Sequence, residues 1–221
     1  MDPTLAPTYF LNFEHPEVRA FAEARTAGAA TEIERATRLF HAVRDEVLYD
    51  PYSVRLTPEH FQASATLAAG RGFCVPKAIL LAAAARAVGI PSRLAFADVR
   101  NHLATERLRA LMRTDVFAFH GYTVLFLGGR WVKATPTFNR SLCEKFGVKT
   151  LEFDGTTDSL LHPFDQEGRR HMEYLRDRGT YDDFPFEELL RVKREMYPHF
   201  FERMIETGGD FAREAEAERA K

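Results

Sequence analysis

Apolar residues recur on one helical face between Thr31 and Val47, at Ile33, Ala36, Phe40, Val43 and Val47, with Glu32, Arg35, Arg38 and Asp45 between them. That spacing predicts an amphipathic helix. An earlier helix is expected from about Pro16 to Ala27, ending near Gly28. Thr57-Pro58-Glu59 supplies a hydroxyl cap, a first-turn proline and an acid, so a further helix is expected to run towards Gly70. From Ala78 to Val88 the polar positions nearly vanish, which predicts a helix buried on most sides. Pro76 falls early enough for a first turn, Gly89 fits the stop, and Pro91 prevents continuation. Cys74 then stands at the N-terminal end of a buried central helix.

After Pro91 the pattern turns to strands. Ser92 to Val99 reads as a strand, as does Phe117 to Leu127, which is rich in β-branched and aromatic residues, and Leu103 to Met112 between them reads as a short helix or excursion. Gly128-Gly129 signals a hairpin that returns through Arg130 to Thr135 and stops at Pro136. Ser141 to Glu144 reads as a capping box opening a short helix. Leu151 to Gly168 reads as loop, while Gly168 to Arg178 and Phe186 to Tyr197 read as helices, and the charged tail from Phe211 as a solvated one. Helices, then a cysteine-bearing helix, then an antiparallel hairpin with a histidine give an α+β architecture.

Composition narrows the class of function. A length of 221 residues at 45% hydrophobic content supports a sizeable core without disulfides or metal. The net charge of -2 argues against a nucleic-acid surface. The two cysteines, Cys74 and Cys143, are too few for a disulfide framework, and free thiols in a reducing cytoplasm are the simpler reading. The opening residues carry no signal-peptide pattern, and the longest apolar run falls short of the ~20 residues of a membrane span. No cofactor is expected.

The candidate chemistry centres on Cys74. A helix start gathers unpaired N–H groups and partial positive charge, which favours a thiolate. A histidine base can come from anywhere the fold brings close, and His120 sits before Gly121 on a predicted strand, where a small residue leaves room for a substrate.

Four fragments in order make the picture specific: Gly72-Phe73-Cys74 opening a helix, Arg86 to Arg93 (RAVGIPSR) closing it, His120-Gly121-Tyr122 on a strand, and Arg130 to Thr137 (RWVKATPT) on the next. Together they resemble the transglutaminase-like superfamily, over roughly Thr31 to Phe138. The resemblance implies a papain-like α+β fold, with a helical lobe, a central Cys-bearing helix packed on an antiparallel sheet, and C-terminal helices. It implies a single domain over residues 1–221, with a core at about 31–138 and an extension at about 139–221. It also implies a cysteine nucleophile, a histidine base, and an amide- or ester-containing substrate.

One position departs from the pattern. Where the family carries an aspartate after the tryptophan, this chain has Thr135. A hydroxyl can orient a histidine ring but carries no charge to stabilise an imidazolium. Asn139, or Asp154 or Asp158 from the later loop, are the alternatives. The catalytic set expected here is therefore Cys74, His120 and Thr135.

Plainer readings weigh against parts of this. A cysteine or histidine taken alone is more often an inert core residue. Cys143 reads as a small core hydrophobe, Trp131 as a packing residue under the sheet, and His102 as a surface or supporting group. A zinc site from Cys74, His102, His120 and Cys143 matches no usual ligand spacing. The acids from Asp154 to Asp165 lack the pattern of a calcium loop. A non-catalytic binding module that keeps the fold is the rival reading, favoured by Thr135 and opposed by the presence of both Cys74 and His120.

Overall fold

The computed structural model describes residues 2–102, 104–162, 164–199 and 209–219. Leu103 and Pro163, which the sequence reading placed in an excursion and a loop, lie outside the described residues.

The helical lobe consists of α1 (Pro16–Thr26), α2 (Glu32–Glu46), α3 (Ala63–Ala69) and the central α4 (Cys74–Ala87). α2 starts as its sequence dictates, with the Thr31 hydroxyl accepting from the Glu34 N–H. The helix expected from Thr57 is broken in two. Pro58–Phe61 forms a 3-10 turn, Gln62 takes an extended conformation, and only then does α3 begin. Thr57 makes no side-chain cap there. Two short parallel strands, β1 (Leu48–Tyr49) and β2 (Arg71–Gly72), lead into the first turn of α4.

Val75 to Arg86 of α4 are all buried, as the near-continuous apolar run requires. Lys77 is also fully buried; its ammonium donates to the carbonyls of Arg44 (2.9 Å) and Val47, so it closes the C-terminal end of α2. Arg86 explains its place in the closing fragment. Its guanidinium donates to the Ser92 carbonyl at 2.9 Å and to the carbonyls of Ala6 and Asp182, tying α4 to the N-terminal segment and to the end of β6. Gly89, at φ 78°, makes the left-handed stop.

The sheet is antiparallel, in the order β5-β4-β3-β6, from β3 (Ser92–Asn101), β4 (Val116–Leu127), β5 (Arg130–Ala134) and β6 (Met172–Tyr181). The hairpin at Gly128-Gly129 is as expected. α5 (Glu106–Met112) lies between β3 and β4. The two faces of β3 follow strict alternation: Leu94 and Phe96 join the main core with α4, while Ala95, Ala97 and Val99 join a second core with Tyr122, Val124, Leu151, Leu161 and Met172. α6 (Arg140–Phe146) lies between β5 and β6, and α7 (Phe186–Met196) and α8 (Phe211–Arg219) follow β6.

Three expectations are corrected. Residues 172–181 form a strand, not a helix: the free edge of β3 demands hydrogen-bond partners, and β6 supplies them. α6 is preceded by Asn139 rather than capped by Ser141. Trp131 is not under the sheet; it is 38% exposed, with the Arg93 guanidinium 4.8 Å from its ring centre. Among the described residues no helix is long and apolar enough to cross a membrane.

Candidate active site

The Cys74 thiol sits in the first turn of α4, behind Phe73, which offers no side-chain cap. The first N–H groups of the helix are therefore open, and those of Cys74 and Val75 act on the thiol. Across from it, the backbone N–H of Gly121 on β4 also faces the sulfur. His120 precedes that glycine on β4. Gly121 is what allows the approach. A Cβ there would lie 3.1 Å from the Val75 Cα, so the space expected for substrate is taken by the start of α4.

A bulge sets the turn of the chain before His120. Ala97 pairs with His120 but Val99 pairs with Phe117, leaving one extra residue on β4. Phe119 absorbs it at φ 63°, a left-handed conformation costly for a bulky residue. Its neighbours hold it there: the ring stacks on Phe96 at 4.4 Å, and its N–H donates to Asp98 Oδ1 at 3.0 Å. Asp98 is fixed in turn by Arg178 of β6 at 2.7 Å, in a pair exposed by less than a tenth on either side.

Electrostatics depart from the expectation of a lowered thiol pKa. Burial pushes the Cys74 thiol up, and this outweighs the Gly121 N–H, the charge of Lys193 and the helix-start amides, all of which pull it down. Burial, aided by the positive charge of Lys193, pushes His120 down to about 4. Both shifts favour the neutral forms, a thiol at Cys74 and an imidazole at His120.

The group behind the histidine is not the expected one. Among the described residues neither the buried His120 Nε2 nor the buried Thr135 hydroxyl has a hydrogen-bond partner, so no bond joins the two. Asn139 is committed elsewhere, accepting from the Tyr49 N–H at 3.0 Å and donating to Ser141 Oγ at 2.8 Å. Asp154 caps its own turn at Thr156 and Thr157. Asp158 accepts from the Lys133 N–H. The ring that does meet His120 is Tyr174 of β6, edge-on at 6.3 Å, and its phenol lies beside Thr135. Burial raises the Tyr174 phenol far above its ordinary range.

Sequence reasoning missed Tyr174 and Lys193. Tyr174 was concealed by reading its strand as a helix. Lys193 sits on a face of α7 that looks like ordinary surface charge. Cys143 is buried, as expected of a core residue, and burial pushes its thiol up to about 11. His102 lies 3.6 Å from Glu173, away from the thiol's contacts. Among the described residues no three His, Cys, Asp or Glu side chains are arranged to hold a metal ion.

A solved structure called "Putative Cysteine Protease from Cytophaga hutchinsonii" is similar, at a TM-score of 0.48 and 16% identity, over 81% of this chain. A second, a "Putative Protease from Parabacteroides distasonis", is similar at a TM-score of 0.39 and 16% identity, over 54% of this chain. The chain spans only 53% and 23% of those two proteins. No curated protein matches the sequence. The model of the transglutaminase-like superfamily matches residues 19–136, more than half of the chain, and this stretch holds both the Cys74 helix and the His120 strand. With that share of its length matched, the chain belongs to the transglutaminase-like superfamily.

Proposed function

We propose that the protein is a cysteine-dependent enzyme that transfers or hydrolyses an acyl group held as an amide or ester. One observation carries the reading: the Cys74 thiol stands at an uncapped helix start, against the backbone N–H of Gly121, the residue that follows His120 on β4. Family membership supports thiol-dependent catalysis in general.

In this reading the Cys74 sulfur attacks the carbonyl carbon while its proton passes to His120. The imidazolium then gives that proton to the leaving amine or alcohol, and a thioester remains on Cys74. The negative oxygen formed in between is held by open N–H groups at the start of α4. Water or an amine then takes the acyl group. Because proton transfer from thiol to imidazole is uphill in the resting pair, it occurs as the sulfur–carbon bond forms. Thr135 remains a supporting group through Tyr174 rather than a direct partner of the ring.

A second reading, a binding module without catalysis, draws on the absence of a described carboxylate behind His120. Mixing the protein with p-nitrophenyl acetate separates the two. An enzyme of this kind releases a rapid burst of p-nitrophenol equal to the protein present, followed by slower turnover. Release at the rate of the buffer alone contradicts the proposal and supports the binding module.

A further inference from the structure

Lys193 stands in an unusual place for a lysine. It lies on α7, outside the stretch that the family model matches, and reaches back to β4. Its ammonium donates to the Ala118 carbonyl at 2.9 Å, two residues before His120 and within the bulge. It also lies 5.0 Å from the centre of the Tyr197 ring. Among the described residues it has no ion pair. The nearest acid that acts on it, Asp98, is already bound by Arg178 and by the Phe119 N–H.

The groups that face this ammonium are few. They are Cys74 of α4, His120 and the Ala118 carbonyl of β4, Asp98 of β3 with its partner Arg178 of β6, and Tyr197 of its own helix. Cys74 and Lys193 are each partly open to solvent, whereas His120 is 5% exposed.

We propose that Lys193 is the positioning residue that supplies the positive charge opposite a Cys74 thiolate, the part an imidazolium takes where an acid backs the histidine. This rests on the reading of Cys74 as nucleophile. The physical argument is a comparison of two cations. An imidazolium at His120 would be buried, with no described carboxylate or hydroxyl on Nε2. It would also be repelled by Lys193. The ammonium of Lys193 already has a carbonyl, an aromatic face and a nearby carboxylate. Its charge lowers the thiol pKa and the imidazole pKa together, so it offsets negative charge growing on the sulfur without requiring a lasting charge on the His120 ring. Burial brings Lys193 itself down to about 8, so it is mostly charged at pH 7 and loses that charge in mildly alkaline solution.

The rate of iodoacetamide labelling of Cys74 against pH tests this without any substrate. Lys193→Met is expected to slow labelling at pH 7 by about tenfold, the effect of roughly one unit in a thiol pKa. The difference from the unsubstituted protein should close as the pH rises through about 8. Lys193→Arg should retain the fast rate, and His120→Ala should slow labelling less than Lys193→Met does. In the unsubstituted protein alone, the rise of rate with pH should flatten near 8, so the test stands even if a variant does not fold. A folded Lys193→Met with an unchanged profile overturns the proposal, as does a larger effect from His120→Ala or a smooth single rise. If acyl transfer is absent while these profiles hold, the enzyme reading fails and the role of Lys193 in the charge of Cys74 stands.

Discussion

Exchanging His120 for alanine is expected to slow acylation of Cys74 by about a hundred- to ten-thousand-fold, the range for loss of a positioned proton acceptor. Exchanging Cys74 for alanine removes the burst altogether. The pH dependence gives the prediction its signature. His120 is held at about 4 by burial and by the charge of Lys193. An unperturbed histidine titrates near 6.5. The imidazole thus stays neutral, and able to accept a proton, from pH 7 down to about 5. Acylation should fall on the acid side only as the pH approaches about 4, provided the fold persists. Stopped-flow measurement of the burst from pH 4.5 to 8 reads this. A limb centred near 6.5 means that the titrating group is not the buried His120 of this structure.

The second large effect is structural. Asp98→Ala is expected to destabilise the fold by about 3–5 kcal/mol, because it leaves the buried Arg178 without its carboxylate. It also strips the Phe119 N–H of its acceptor, in the residue that carries the positive φ of the bulge. Asp98→Asn keeps an oxygen for the Phe119 N–H and loses only the charge, so its cost should be smaller. Urea denaturation at pH 7 measures both. A loss below about 1 kcal/mol for Asp98→Ala would mean that the bulge is held by the stacking of Phe119 on Phe96 alone.

The helical lobe was legible because its signals are local. The periodicity of α2, the apolar run of α4, and the Gly89-Ile90-Pro91 stop each depend on neighbours within a turn or two. The hairpin at Gly128-Gly129 was legible for the same reason. β6 was not, because its pairing is made with β3, more than seventy residues earlier, and its own sequence carries both a helical and a strand period. The break at Gln62 likewise depends on a distant contact, the Ala63 N–H donating to the Phe10 carbonyl.

The same distinction divides the site. Cys74 and His120 were singled out from ordered fragments that fall within the family match. The thiol pKa was misjudged because helix-end placement is visible in sequence and burial is not. Thr135 was expected to face the ring because of its place in the fragment. Tyr174 now separates that expectation from the structure, and it comes from the misread strand. Lys193 comes from a helix that was read correctly, yet nothing in the residues Phe186 to Met196 tells which lysine or arginine turns inward.

The central claim is that Cys74, and not Cys143, is the reacting thiol of a site completed by His120. Partial acylation of the native protein with p-nitrophenyl acetate, acid quenching and peptide mapping by mass spectrometry test it most directly. The account predicts one acetyl group on the peptide that carries Cys74, none on that of Cys143, and loss of the Cys74 adduct on incubation at neutral pH as the thioester is hydrolysed. Acetyl groups on Cys143, or only on surface lysines, would contradict it.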